Sequence, residues 1–298
     1  MLDPDYEVFV AIVDAGGLSG AGRRLRLSPA SVSKRLARLE ARLGVRLLHR
    51  STRRVALTGE GEVLHRDLVG VLAELKAAED RVQGLGQRPT GPLRMTAPTS
   101  FGRIYLGGCL AAFLADNPLV ELQLDLSDGF IDLTDAHYDL AIRVTGQPGS
   151  EFSAHRLARS PRVLCAAPGY VERQGTPRVL ADLSVHRLLA AEGQLPWSLT
   201  GPDRVVRHKG DSAVRTNSSE MVRELTLAGV GISLRSLWDV WEDLAAGRLV
   251  RVLEEWEGSH EAWVQAVHTP RPRLPAALRA MIAHLEQWFA QEPRWPQG

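Results

Sequence analysis

Apolar side chains in the first sixty residues recur at helical spacing in three short segments. The first segment begins at Asp3-Pro4, a capping residue followed by proline, and its apolar positions are Tyr6, Phe9, Val10 and Val13. The second begins near Ser19, and the third begins at Ser28-Pro29 and carries Val32, Leu36, Leu39 and Leu43 before Gly44. We therefore predict three helices, the third of which buries its four apolar side chains.

The side chains left on the outer face of the third predicted helix are small near its start and basic further along. Two short helices joined by a tight turn, with an exposed polar face on the second, are typical of a helix-turn-helix. Small residues let such a helix enter the major groove, where serine and lysine reach base edges and arginine reaches phosphates. The predicted DNA contacts on this helix are Ser28, Pro29, Ala30, Ser31, Ser33, Lys34, Arg35 and Arg38.

Two β-like runs, 45–48 and 53–57, follow the third predicted helix and indicate a wing. Arg53 and Arg54 lie where a wing enters the minor groove or binds phosphate. Charge agrees with this, because residues 1–58 contain 11 Lys and Arg against five Asp and Glu, whereas the rest of the chain has an acidic excess. A solvated basic face explains the charge alone equally well, so the prediction depends on the helix pattern.

From Thr58 onward, apolar residues recur at alternating steps of four and three in a stretch free of proline. The stripe is narrow, and such a seam is typical of a helix paired with a second copy of itself. We predict a linker helix over 59–84 that makes the chain a homodimer. A helix packed on its own domain is the alternative, since the run is short. The predicted seam is Leu64, Leu68, Val71, Leu75, Ala78 and Val82.

Glycine and proline are frequent in 84–92, and beyond this segment β-like and helical patterns alternate. The alternation predicts a doubly wound α/β domain over 92–298, with 85–91 as the hinge. Within 92–298 we find no Walker motif, dinucleotide fingerprint, GxSxG, HExxH or SxxK, so we expect neither an enzyme nor a cofactor or metal site. Cys109 and Cys165 fit two buried thiols better than a redox pair. No apolar run reaches membrane-spanning length, and we expect a cytoplasmic protein.

Three segments of the chain resemble the signature of the LysR-type transcriptional regulators. They are LSPASVSKRLARLEARLGVRLLHR at 27–50, Arg53-Arg54, and LTGEG at 57–61. The resemblance implies a winged helix-turn-helix over 1–58. It also implies a dimer that pairs into a tetramer on an inverted-repeat operator in double-stranded DNA, with RNA polymerase as a further partner. In the family, the residues equivalent to Pro29, Ala30, Ser33 and Lys34 face bases, and those equivalent to Arg53 and Arg54 reach the adjacent groove.

The same resemblance implies that 92–298 is similar to the periplasmic-binding-protein fold, with a small-molecule effector held between two α/β subdomains. Subdomain I is then expected over 92–166 and 268–298, and subdomain II over 167–267. The chain is expected to cross between them near Ala166-Ala167 and near Val267-His268.

Helix starts at the ends of predicted strands are the candidate effector contacts. The segments 98–102 and 216–220 each bring free amides and hydroxyls to a helix N-terminus, where anions bind. Ordinary helix capping explains either segment as well. Arg143 offers a bidentate partner for a carboxylate, although a salt bridge within the protein is as good an interpretation. The candidates favour a small anion such as a carboxylate, and they are Thr99, Ser100, Phe101, Ser127, Arg143, Asn217 and Ser218.

Overall fold

The computed structural model describes residues 3–49, 56–82, 88–129, 138–259 and 261–291, and on the helix that ends at Val82 it describes the side chains in part. The chain divides into two compact units, Met1–Gln87 and Arg88–Gly298, and the division falls inside the predicted hinge. Among the described residues, no helix is both long enough and apolar enough to cross a membrane.

Unit one contains the three predicted helices and the linker helix. Helix α1 spans Pro4–Asp14, α2 Leu18–Leu25, α3 Pro29–Leu43 and α4 Gly59–Val82. The starts of α1 and α3 follow from their caps, because the side chains of Asp3 and Ser28 each accept a hydrogen bond from a backbone amide, at 2.9 and 3.2 Å. Helix α3 ends at Gly44, whose φ of 72° lies in the left-handed region that favours glycine.

Helix α1 lies at the centre of unit one and is buried on two sides. Its predicted apolar face, which includes Phe9, packs with Leu39 of α3. A second face, formed by Val8, Ala11 and Ile12, packs against α2 and α3. The prediction that α3 buries Leu43 is wrong, since this side chain is 37 % exposed. Helix α3 contacts the core through Val32 and Leu39, and its last turn extends past that contact.

A tight turn joins α2 to α3. Arg26 adopts the left-handed conformation with a φ of 54°, and the amide of Leu27 donates a hydrogen bond to the carbonyl oxygen of Gly22 at 2.8 Å. Glycine inside a helix costs about 1 kcal/mol relative to alanine. A Cβ at Gly22 would nevertheless lie 2.7 Å from the Leu27 carbonyl oxygen. Glycine therefore permits the close turn that sets α3 against α2.

The linker helix α4 begins inside the core of its own unit. Leu68 is 6 % exposed and, with Leu64, packs in the cluster that contains Phe9 and Leu39. Val71 and Leu75 are exposed. The side chains of Ala78 and Val82 lie outside the described part of the chain. Leu68, which the predicted seam included, is thus a core residue of its own unit, with the half-buried Leu64 packed beside it, because the start of α4 closes over α1 and α3.

Unit two contains two mixed sheets with helices packed on them, and the α/β prediction is confirmed. The first sheet has the order β2-β1-β3-β12-β4, and β12 runs antiparallel to both of its neighbours. Its strands are β1 (Gly91–Ala97), β2 (Val120–Leu126), β3 (Leu140–Thr145), β4 (Ser153–Arg159) and β12 (Trp263–His268). The helices of this part are α5 (Thr99–Phe101), a π-helical turn (Gly102–Leu106), α6 (Gly107–Asp116) and α10 (Ala276–Gln291).

The second sheet has the order β6-β9-β5-β11-β7-β8, with β10 paired to β5. Its strands are β5 (Arg162–Ala166), β6 (Leu188–Leu189), β7 (Trp197–Thr200), β8 (Val205–His208), β9 (Ile232–Ser236), β10 (Val250–Arg251) and β11 (Glu257–Gly258). The helices of this part are α7 (Pro168–Gln174), a 3₁₀ helix (Leu180–Val185), α8 (Ser219–Leu227) and α9 (Leu237–Ala245).

The chain crosses between the sheets twice, in each case one strand earlier than predicted. It passes from the first sheet to the second between β4 and β5, and it returns between β11 and β12. Both β5 and β12 are short apolar strands, so composition does not assign them to a sheet, and pairing does: Leu164 lies opposite Leu234. We define subdomain I as 88–159 with 263–291, and subdomain II as 162–258.

Candidate functional site

The predicted DNA-reading face is assembled on the first turns of α3. The side chains of the predicted DNA contacts point outward, because Val32 and Leu39 on the opposite face of the helix are buried in the core. Arg35 is half-buried beside them. The structure thus brings these residues onto one surface, and their contact with DNA stays a prediction. The exposed side chains are those of Ser28, Pro29, Ala30, Ser31, Ser33 and Lys34.

Arg38 makes an intramolecular contact that sequence reasoning did not foresee. Its Nε and Nη2 atoms donate hydrogen bonds to the two carboxylate oxygens of Asp5, at 2.5 and 2.6 Å. Hydrogen bonding to Arg38 holds the pKa of Asp5 below its ordinary value, although burial of this carboxyl acts in the opposite direction. Arg42 lies 3.2 Å from the carboxylate of Asp3, with its guanidinium over the ring of Tyr6. Both arginines fasten α3 to α1.

The described residues include the base of the predicted wing, whereas Arg53 and Arg54 lie outside them. The two runs of the wing form an antiparallel bridge at this base. The carboxylate of Glu40, a residue 8 % exposed, accepts a hydrogen bond from the amide of Leu47 at 2.9 Å. Glu40 thereby fixes the start of the wing to α3. The sequence around Glu40 does not indicate this role, because a single glutamate on a basic helix is expected to be exposed to solvent.

A cavity of about 550 Å³ opens between the two subdomains of unit two, and residues from both line it. Three of the predicted effector residues line the cavity: Ser100, Ser127 and Arg143. The others do not, and these are Thr99, Phe101, Asn217 and Ser218. Polar and charged lining residues that sequence reasoning left out or left open include Asp128, Arg162, Glu192, Gln194, Ser219 and Arg235.

Phe101 belongs to the hydrophobic core of subdomain I, contrary to its predicted role. It is fully buried, and its ring centroid lies 5.2 Å from that of Trp238 and 5.7 Å from that of Phe289. Trp238 comes from α9 of subdomain II, so this aromatic contact joins the two subdomains. Its ring packs in this core with residues of β1 and α10, so Phe101 does not line the cavity.

The two predicted helix N-termini bind a carboxylate of the chain itself. Asp128 follows β2, and its Oδ1 and Oδ2 atoms accept hydrogen bonds from the amides of Thr99 and Ser219, at 2.8 and 2.7 Å. Ser218 caps α8, since its side chain accepts a hydrogen bond from the amide of Met221 at 3.1 Å. The amides that sequence reasoning assigned to an effector anion thus already have an anionic partner.

Three arginines bring positive charge to the cavity. Arg235 is buried and pairs with Asp239, to which its Nε donates at 2.9 Å. Arg162 donates to the carbonyl oxygen of Leu234 at 3.0 Å. Burial, with a smaller contribution from the charge of Arg235, lowers the pKa of Arg162 to about 10, so this side chain remains charged near neutral pH. Burial also lowers the pKa of Arg143.

Within the described ranges, no group of three or more His, Cys, Asp or Glu side chains could hold a metal ion. Cys109 and Cys165 are both buried, one in each subdomain. Burial raises the pKa of each thiol to about 12. Because oxidation proceeds through the thiolate, neither cysteine is suited to redox sensing.

Two family models match the chain, "Bacterial regulatory helix-turn-helix protein, lysR family" over residues 4–62 and "LysR substrate binding domain" over residues 86–290. The chain is 35 % identical to the HTH-type transcriptional regulator DmlR of Escherichia coli K12, over 96 % of this chain and 94 % of that protein. It is 33 % identical to the HTH-type transcriptional activator TtdR of the same strain, over 97 % and 94 %.

Two solved structures are similar to this chain over nearly its whole length. A variant of the protein AphB, solved at full length, has a TM-score of 0.64 at 25 % identity, over 96 % of this chain and 98 % of that chain. CrgA, a LysR-type transcriptional regulator from Neisseria meningitidis, has a TM-score of 0.59 at 28 % identity, over 97 % and 99 %. The likeness to both spans the helix-turn-helix and the two α/β subdomains.

Proposed function

The chain belongs to the LysR family of DNA-binding transcriptional regulators, and from this premise we propose that a small anion, held between its subdomains, controls how its homo-oligomer binds an inverted-repeat operator. The relatives named above are regulators, and on this proposal the cavity is a binding site and not an active site. The protein then acts in the cytoplasm, and RNA polymerase is the partner whose access to the promoter it changes.

The exposed start of α3 supports the proposed reading of bases, because serine and lysine there reach base edges when the helix enters a major groove. We expect Lys34→Ala to relax sequence preference at a cost of about 1–3 kcal/mol on the preferred site. Arg54→Ala should lower affinity for all sequences, and it should reduce the slope of log K against log salt concentration by about one. Binding to an operator found by genome-wide mapping, and to a scrambled copy, separates these effects. Unchanged operator binding in both variants would show that the reading surface lies elsewhere.

The partners of Arg162 are the observation that supports an anionic effector. Its guanidinium lines the cavity and, in the described part of the chain, donates to a carbonyl oxygen and has no carboxylate partner. A half-buried cation without a counter-charge is unfavourable, so an anion bound beside it gains a strong partner. Arg143 lines the same cavity from subdomain I, so both walls carry a guanidinium group.

Thermal unfolding with a panel of carboxylates and sulfate tests the anionic effector. A ligand at one hundred times its Kd stabilises the folded protein by about 2.7 kcal/mol. We expect Arg162→Gln to lose this stabilisation. Arg207→Gln is the control, because Arg207 is an exposed arginine of the same subdomain that does not line the cavity. Stabilisation by uncharged ligands alone, or equal stabilisation of Arg162→Gln, would refute the anionic effector, and no stabilising ligand at all would favour an architectural DNA-binding protein.

The exposed part of the predicted seam supports dimerisation through α4. Val71 and Leu75 are 46 and 40 % exposed and lie one turn apart on the same face. We expect the double variant Val71→Glu with Leu75→Glu to dissociate the dimer in sedimentation. Val63→Glu is the control, since Val63 is 52 % exposed but lies off the seam. A double variant that stays dimeric would rule out this interface.

Effector binding must also change the DNA complex. We expect a bound effector to alter the geometry between pairs of DNA-binding domains, because a ligand shifts a conformational equilibrium by its difference in affinity for the two states. A dimer covers two half-sites, so pairing of dimers into a tetramer would extend the footprint beyond them. Footprints and DNA bend angles that are identical with and without effector would argue against this coupling.

A further inference from the structure

Asp128 stands where the proposed effector anion would bind. Its carboxylate oxygens accept hydrogen bonds from the first amides of two helices, Thr99 of subdomain I at 2.8 Å and Ser219 of subdomain II at 2.7 Å. These partners lie 29 and 91 residues from Asp128 along the chain, so only tertiary folding brings them together. One side chain therefore links the two walls of the cavity.

Both helices depend on Asp128 for a partner at their first turn. The residue before Thr99 is Pro98, whose side chain has no acceptor that could cap the helix. Ser218 caps α8, but its hydroxyl oxygen already accepts a hydrogen bond from the amide of Met221. Since α5 continues through the π-helical turn into α6, the positive ends of two extended helical segments converge on a single negative charge.

A second observation indicates that the cavity beside Asp128 accepts a further polar ligand. Ser100 is 2 % exposed and lines the cavity, yet its hydroxyl has no hydrogen-bond partner among the residues that the structure describes. A buried hydroxyl without a partner is costly, and in a native protein it calls for a ligand or an ordered water. Arg162 lines the same cavity from subdomain II, so a guanidinium group is also available to an anion there.

We propose that Asp128 is a specificity-determining residue of the cavity, which acts as a tethered competitor for the anionic group of the effector. This inference rests on the proposed function, because it assumes an anionic effector. In the effector-free protein, the carboxylate binds both helix starts and joins the subdomains. An effector anion reaches the same amides only after Asp128 has moved away, since two negative charges cannot share them. Binding then replaces an internal link between the subdomains by a link through the effector.

The effective concentration of the Asp128 carboxylate at the two amides determines how strongly it competes with an effector anion. Asp128 lies two residues after the end of β2, and a group held by the chain beside its site competes at an effective concentration in the millimolar range or above. An anion that binds the two amides weakly is therefore excluded, and one with further contacts to the arginines succeeds. We expect removal of the Asp128 charge to tighten anion binding by about tenfold or more.

The experiment uses the full-length protein with Asp128→Asn, which keeps the shape of the side chain, and with Asp128→Ala. Succinate and sulfate are the probes in isothermal titration calorimetry, and hydrogen exchange is measured at the amides of Thr99 and Ser219 without ligand. Asp182→Asn is the matched control, because Asp182 also accepts hydrogen bonds from two backbone amides, at 2.7 and 3.0 Å, but entirely within subdomain II.

Both Asp128 variants should exchange faster at both amides and bind the probes at least tenfold more tightly, whereas the control should change neither. Equal or weaker binding by Asp128→Asn would overturn the competitor role and leave the anionic effector standing. Unchanged exchange at Ser219 would overturn the link between the subdomains. If neither the wild type nor any variant binds a probe, the anionic effector fails and the competitor role fails with it. Should Asp128→Ala not fold, Asp128→Asn decides between these outcomes.

Discussion

Replacing Arg235 by methionine removes one half of a buried ion pair in subdomain II. Arg235 is 4 % exposed and Asp239 is 5 % exposed. The guanidinium donates to Asp239 Oδ2 through Nε at 2.9 Å and also through Nη2. The other oxygen, Asp239 Oδ1, has no hydrogen-bond partner among the described residues. Asp239 therefore relies on Arg235 as the direct partner of its charge.

The magnitude follows from this burial. Removal of one partner leaves an uncompensated buried charge, which costs about 3–5 kcal/mol. Arg223, which donates to the backbone carbonyl oxygen of Asp239, places the expected cost near the lower limit, at about 3 kcal/mol. In a domain of this size 1 kcal/mol shifts Tm by about 2–4 °C, so we expect a decrease of about 6–12 °C. Replacing Asp239 by leucine as well should restore most of the loss, because apolar replacement of a whole buried pair is often neutral.

The assay is urea unfolding followed by tryptophan fluorescence, with calorimetry for Tm. Arg207→Met is the control, and as an exposed substitution it should change the free energy of unfolding by no more than about 0.5 kcal/mol. A loss below about 1 kcal/mol for Arg235→Met, or a double variant no more stable than the single one, would refute the reasoning from burial.

Three further outcomes test other parts of the molecule. Because the pKa of Asp5 is lowered, its contribution to stability is complete above the ordinary value of 3.8 and is lost as the pH falls below it. Arg38→Ala should therefore reduce the dependence of the free energy of unfolding on pH in this acid range, measured by circular dichroism. At pH 8, Cys109 and Cys165 should react with a thiol reagent only as the protein unfolds, since each thiol has a pKa of about 12, and fast reaction of the native protein would disprove this. Arg26→Gly should raise the free energy of unfolding by about 0.5–1 kcal/mol, because relief of the left-handed conformation exceeds the entropy cost of glycine, and an unchanged denaturation midpoint would count against it.

Much of unit one was predictable, because its helices depend on neighbours in the chain. The caps at Asp3 and Ser28 act within one turn, and the spacing of apolar residues assigns the inner and outer faces of α3. The same spacing misassigned Leu43, which is exposed, and Leu68, which packs in the core of its own unit. Periodicity shows which side of a helix is apolar, but it does not show where the neighbouring helix ends or whether the partner belongs to the same chain.

The effector cavity was predictable in part. Ser100 follows the end of β1, and the rule that polar side chains at strand ends commonly meet a ligand located it. Arg143 lies inside β3 and was predicted because a guanidinium can bind a carboxylate. The rule misplaced Phe101, because in the first turn of a helix it does not distinguish the side that faces the sheet from the side that faces the cleft. It also missed Asp128, which carries no motif and whose two partners come from distant segments.

By itself, the sequence determined the helix-turn-helix, the alternation of strands and helices, and the family. These follow from caps, periodicity and motifs, whose interactions span a few residues. Only the tertiary structure decided which sheet β5 and β12 join, that Arg38 binds Asp5, and that the carboxylate of Asp128 holds two helix starts together. Strand pairing, burial and charge compensation depend on groups brought together across long loops, and no local pattern in the chain records which of these groups will meet.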